Sequence, residues 1–220
     1  MQIKNIYFPI IVISFAFFSC KSDKRYHDEK SVEEEKPVAE KSVLGTIEEF
    51  QKELNAEFAD AERSPLTEKD RKRFQGLDFF PIDTTYSVTA VFERTPNEKP
   101  FMMPTTTDRK TEEVRYGIVK FDLHGKEFQL NIYQNQQLKL TEEYRDYLFL
   151  PFSDLTNGEE TYGGGRYIDL RIPKGDSIVI DFNKAYNPYC AYNEKYSCPL
   201  VPAENNLDYA VRVGVKKFKS

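Results

Sequence analysis

The chain has 220 residues, 36 acidic against 31 basic side chains and a formal charge of -5. That acidic balance argues against a nucleic-acid binder, which needs surplus Lys and Arg to neutralise phosphates. A 40% hydrophobic and 14% aromatic content, from 17 Phe and 14 Tyr without Trp, provides for one well-packed domain, while two His and three Cys leave few nucleophiles or transition-metal ligands.

Residues 1–19 read as a targeting signal. Lys4 supplies the positive start and Ile6 to Phe18 form an apolar run too short to span a bilayer comfortably. The run ends in Phe17-Phe18-Ser19-Cys20, which resembles the bacterial lipoprotein signal and makes Cys20 the expected lipidation site and mature N-terminus. An uncleaved anchor is the alternative and gives the same topology. Residues 20–45 are about half charged and carry no apolar periodicity, so the expectation is a disordered tether reaching about 25–30 Å from a membrane surface.

The folded domain is expected over 46–220. Thr46-Ile47-Glu48-Glu49 has the pattern of a capping box, and Ile47, Phe50, Leu54 and Phe58 fall on one face of the helix it would open. Ser64-Pro65 ends that helix. Thr67 starts a second short one, with Gly76 as its expected close.

Beyond Leu77 the hydrophobic period changes from 3.6 to 2. The alternation in 86–93, 116–123 and 127–133, with His124-Gly125 as a tight turn, predicts a hairpin pairing Phe121 with Phe128 and Val119 with Leu130. The expected fold class is mainly β: an antiparallel barrel or sandwich of roughly eight strands with two short N-terminal helices.

Four stretches between Tyr147 and Leu207 are distinctive: Leu148 to Gly158; Thr161-Tyr162-Gly163-Gly164-Gly165-Arg166-Tyr167-Ile168-Asp169-Leu170; Asp181-Phe182-Asn183-Lys184-Ala185-Tyr186-Asn187-Pro188-Tyr189-Cys190; and Cys198 to Asn205. Together they resemble the domain of unknown function 1684 family, bacterial and archaeal proteins that include many Bacteroidetes lipoproteins. The resemblance spans most of the chain from about Glu48 and implies no particular activity.

The glycine run is followed by a strand, so it fits neither a P-loop nor a dinucleotide-binding turn. A bulge or a close backbone approach remains. If Pro173 to Ser177 form a five-residue turn, Ile168, Leu170 and Ile172 share an apolar face with Ile178, Ile180 and Phe182. The opposite face then pairs Asp169 with Asp181 and Tyr167 with Asn183, with Arg166 and Arg171 close by. Two facing carboxylates need a cation, a shared proton or an Arg. In an exported protein Cys190 and Cys198 are expected to form a disulfide.

These residues support three classes of function. One is a module that binds a small polar ligand or cation through Tyr162, Arg166, Tyr167, Asp169, Arg171, Asp181, Asn183, Asn187 and Asn205. Another is a cell-envelope hydrolase using the carboxylate pair. The third is a structural or partner-binding envelope lipoprotein. No cofactor motif and no metal-ligand spacing occurs; the expected partners are the membrane, through the N-terminal lipid, and a small polar ligand, with no nucleic acid.

Overall fold

The computed structural model describes residues 43–219. The signal, Cys20 and nearly all of the tether lie outside the described residues. Helix α1 runs Val43–Ala59 and a single turn, α2, spans Glu68–Arg71. No helix among the described residues is long and apolar enough to cross a membrane. Seven strands follow: β1 Ser87–Arg94, β2 Phe101–Pro104, β3 Lys110–Leu123, β4 Lys126–Asn135, β5 Tyr147–Phe152, β6 Arg166–Arg171 and β7 Ser177–Asp181.

They form one antiparallel sheet in the order β6-β5-β4-β3-β1-β7, with β2 alongside β3, curled into a half-barrel. The long β3 pairs with β4 on one edge and with β2 and then β1 on the other. A bulge between Arg115 and Gly117 separates these two partners and lets the strand bend. At Gly117 the Phe92 ring packs so closely that a Cβ would lie 2.4 Å from it.

Period-2 alternation gives the sheet two apolar faces. Inside the curl, Val119, Leu130, Ile132, Leu148, Leu150, Ile168 and Ile180 form the main core, joined by Phe182 and by Val211 and Val213 from the C-terminal segment. On the other face Met103, Tyr133, Phe149 and Tyr167 make a second cluster. The segment after β7 packs near it, tied by bridges between Tyr167 and Tyr186 and between Thr105 and Pro199. Helix α1 joins through a third cluster, where Phe58 meets Tyr192 edge-on at 4.7 Å and packs beside Leu66.

The β3–β4 hairpin forms as expected. His124 and Gly125 both take positive φ, 54° and 81°, and Phe121 faces Phe128 with Val119 facing Leu130. The His124 ring lies within hydrogen-bond reach of Thr85 Oγ1 and the Tyr209 hydroxyl.

Four expectations are corrected. Thr46 caps nothing: α1 already begins at Val43, and the Thr46 hydroxyl donates to the Val43 carbonyl at 2.8 Å. Residues 43–45 therefore belong to the helix, not the tether. Helix α2 stops at Arg71, five residues before Gly76, which takes a positive φ of 132°. The sheet has seven strands instead of eight.

The largest difference is that β6 and β7 do not pair. Strand β6 is laddered to β5 and β7 to β1, so the consecutive strands lie at opposite ends of the sheet order. The outer edge of β6 is taken by Tyr186, whose N–H and carbonyl exchange bonds of 3.0 and 2.9 Å with Tyr167. Asp169 is thus opposite Phe149, and Asp181 opposite Ser87. The expected carboxylate pair does not exist.

Candidate functional site

Alternation on β6 places Tyr167, Asp169 and Arg171 on the face away from the main core, as the sequence suggests, but the partners of Asp169 come from elsewhere. Phe149 on β5 stands directly across, which sets Tyr147 diagonally on the same face. The Tyr147 hydroxyl donates to Asp169 Oδ1 at 2.8 Å. From the segment after β7, the Tyr186 hydroxyl donates to the same oxygen at 2.6 Å. No described residue donates to Oδ2.

This carboxylate lies in a cavity of about 690 Å³. Its other walls are Tyr189, Tyr196 and the Ser197–Pro199 segment on one side and Phe50, Glu53, Leu54 and Glu57 of α1 on the other. The Tyr189 hydroxyl donates to Glu57, fastening the helix to that wall. Asp169 is reachable by solvent yet packed around by protein. Burial pushes its carboxyl above the usual aspartate range, while the two tyrosine hydroxyls and the more distant Arg171 oppose that rise. The same burial, with the Asp169 charge, drives the Tyr147 and Tyr186 phenols far up, so both remain donors.

A second concavity of about 440 Å³ shares Tyr167, Tyr186 and Pro199 with the first and is also lined by Tyr147. Glu113 of β3 lines it and is 2% exposed. Its Oε1 accepts from Asn135 Nδ2 at 2.6 Å, while Oε2 is buried without a partner. Burial raises the Glu113 carboxyl, and the Asn135 and Thr111 side chains oppose that rise.

Of the ligand-binding candidates singled out from sequence, only Tyr167 and Asp169 meet here, joined by Cys198 of the expected disulfide. Tyr167 is buried, with its hydroxyl donating to the Pro199 carbonyl. Arg171 is exposed and pairs with Asp146 at 2.8 Å. Arg166 is fully buried in an unrelated network, with Nη2 on Asp154 Oδ2 at 2.8 Å and further bonds to the carbonyls of Val211 and Val213. Asp181 accepts from the Asn183 backbone and side-chain amides, and Asn183 in turn binds both backbone groups of Asp83.

Asn187 donates to the Lys216 carbonyl at 2.9 Å. Asn205 is clamped on the backbone of Asn131 and on the Pro151 carbonyl. Tyr162 points its hydroxyl at Cys190 Sγ, 3.7 Å away, and burial raises its phenol to about 12. Cys190 and Cys198 are thiols here, with the Cys190 N–H 3.2 Å from Cys198 Sγ. The Cys198 and Tyr162 contacts make Cys190 the more acidic thiol. Cys198 lines the Asp169 cavity.

Sequence reading missed Tyr147, Tyr186, Glu57 and Glu113. Tyr186 stands inside a distinctive stretch, but its role depends on its bridge to β6. Tyr147 and Glu113 needed the strand order. Among the described residues no three His, Cys, Asp or Glu side chains gather as a metal site requires.

The family model described as "Protein of unknown function (DUF1684)" matches residues 72–216. The chain belongs to that family. Most of both concavities falls inside the matched DUF1684 region, whereas α1 and its cavity wall precede it. The chain is also similar to the uncharacterized protein from gene locus rrnAC0354 of Haloarcula marismortui, known from a solution NMR structure. The two are 32% identical with a TM-score of 0.62, over 78% of this chain and 92% of that one. Among curated proteins none matches this DUF1684 member.

Proposed function

We propose that this DUF1684 protein is a cell-envelope lipoprotein of the Bacteroidetes type, anchored through Cys20, whose β-rich domain binds a small polar ligand at Asp169. The observation that carries the reading is the Asp169 carboxylate: two tyrosine hydroxyls fix one oxygen, no described residue donates to the other, and the group opens onto a cavity of about 690 Å³. Concave sites with aromatic walls and a few fixed polar groups are the usual form of small-molecule pockets. The hydrolase reading rested on an Asp169–Asp181 pair, and those strands lie at opposite ends of the sheet order.

Thermal shift with a panel of small amines, polyols, sugars and amino acids tests the proposal. At least one compound should raise the melting temperature of the wild type and not that of Asp169→Asn. Equal shifts in the two proteins, or none across the panel, contradict a site at Asp169. The lipid anchor is tested separately. Cys20→Ala should remain unprocessed or leave the membrane fraction, and a processed, membrane-bound variant contradicts lipidation.

A further inference from the structure

The hydrogen-bonding groups around the Asp169 cavity narrow its ligand. Four tyrosines line it, and three of them already donate their hydroxyl protons to protein acceptors. Tyr186 donates to Asp169, Tyr167 to the Pro199 carbonyl and Tyr189 to Glu57, which leaves the proton of Tyr196. Ser197 Oγ is engaged by the hydroxyls of Thr105 at 2.8 Å and Thr107 at 2.6 Å, and Cys198 Sγ accepts from the Cys190 N–H. The acceptors are open by contrast. Asp169 is exposed within the cavity with no described donor on Oδ2, and Glu53 of α1 is exposed as well. A wall rich in acceptors and poor in free protons suits a ligand that donates.

Charge points the same way. The lining carries Asp169, Glu53 and Glu57 against Arg63, and Arg63 is already paired with Asp60 at 3.2 Å. Two further bases nearby are engaged elsewhere: Arg171 on Asp146 at 2.8 Å, and Lys195 over the Tyr196 ring at 4.9 Å. The Tyr167 and Tyr186 rings stand at 89° with centroids 6.0 Å apart, and Tyr189 and Tyr196 form a second pair at 5.3 Å. Such rings attract cations through their faces, and together with Phe50 and Leu54 they offer a hydrocarbon body an apolar lining.

We infer that the ligand is a primary ammonium ion on an apolar body without a carboxylate, its N–H groups donating to Asp169 Oδ2 and its body lying among the tyrosine rings. The inference rests on the Asp169 site proposed above and names the class that site takes. A quaternary ammonium has no N–H to donate, and an amino acid would bring its own carboxylate against Glu53 and Glu57.

Calorimetry on the full chain in detergent tests it with four probes that share one body: 2-phenylethylamine, its N,N,N-trimethyl derivative, 2-phenylethanol and phenylalanine. The primary amine should bind at least about tenfold tighter than each of the others, the worth of one charge-assisted hydrogen bond. Asp169→Asn, which keeps an acceptor for Tyr147 and Tyr186, should remove that advantage. Glu53→Gln, at an exposed position, should weaken the amine about twofold and leave 2-phenylethanol unchanged.

Asp169-dependent binding of 2-phenylethanol or phenylalanine as tight as that of the amine overturns the carboxylate-free cation and leaves the site standing. A trimethyl derivative that binds as tightly as the primary amine overturns N–H donation to Asp169. If none of the four binds through Asp169 while a neutral compound of the thermal-shift panel does, the cationic class fails and the site stands. Absence of any Asp169-dependent binding overturns both this inference and the site.

Discussion

Arg166 and Asp169 are three residues apart on β6 and serve different ends. Arg166 turns inward and ties the strand to Asp154 and to the C-terminal segment through Val211 and Val213. A buried charge left without its partner typically costs about 3–5 kcal/mol. Asp154→Asn should accordingly lose about that much in urea denaturation, because Arg166 stays charged and Asp154 also accepts from Thr156 and Val211. A loss below about 1 kcal/mol would show that this pair does not hold the C-terminal segment.

Glu113 makes the opposite prediction. Its carboxyl is raised in the folded protein relative to the unfolded chain, so the native state holds its proton more tightly. The stability this contributes is complete below the ordinary glutamate range and is lost as pH rises through the elevated folded value. Glu113→Gln carries no such penalty. Its melting temperature should therefore exceed that of the wild type at neutral and mildly alkaline pH, with the gap closing towards pH 4. A gap that widens on acidification contradicts the raised carboxyl.

At the level of elements, the readable parts are those decided by local chemistry. The β3–β4 turn needs two adjacent residues at positive φ, and His124-Gly125 between alternating runs supplies them, so turn and register follow together. The alternation on β6 is equally local, and it placed Tyr167 and Asp169 on one face correctly. What failed was the assumption that consecutive strands pair. Ladder partners are settled by competition across the whole sheet, and Tyr186 occupies the β6 edge that β7 was expected to fill. Tyr147 and Glu113 escaped notice for the same reason, since each approaches the site through neighbours distant in sequence.

The entry to β6 can be tested directly. Gly165 has φ of 85°, and a Cβ there would lie 2.6 Å from the Phe152 carbonyl and from Val201. Gly165→Ala should destabilise by about 1–3 kcal/mol from backbone strain alone, more with the clash. A neutral effect in equilibrium unfolding would mean that the backbone does not pass as closely as this.

The two cysteines belong to the loop that walls the cavity. If the chain is exported to an oxidising compartment as proposed, Cys190 and Cys198 peptides should be linked by non-reducing mass spectrometry, with a loss of about 2.5 kcal/mol on reduction. Two freely alkylated thiols contradict the bridge.

Across the whole molecule, the half-barrel serves as a two-faced support. One face of the sheet builds the main core, and the other presents the Met103, Tyr133, Phe149 and Tyr167 cluster beside which the Asp169 site forms. The 186–199 segment and α1 complete the walls. Because α1 precedes the matched DUF1684 region, the piece of cavity wall bearing Glu53 and Glu57 is the part nearest in sequence to the proposed lipidation site at Cys20. Removing that negative charge with Glu53→Gln and Glu57→Gln together should weaken a cationic ligand and spare a neutral one.

The central claim is that Asp169 marks where this protein binds its ligand. Backbone amide mapping by NMR tests it most directly, titrating the panel compound that raises the wild-type melting temperature most. Shifts gathered at Tyr147, Asp169, Tyr186 and the 196–199 segment, and absent in Asp169→Asn, are the predicted result. Shifts gathered instead on β1 and β7, at the far end of the sheet, would contradict it.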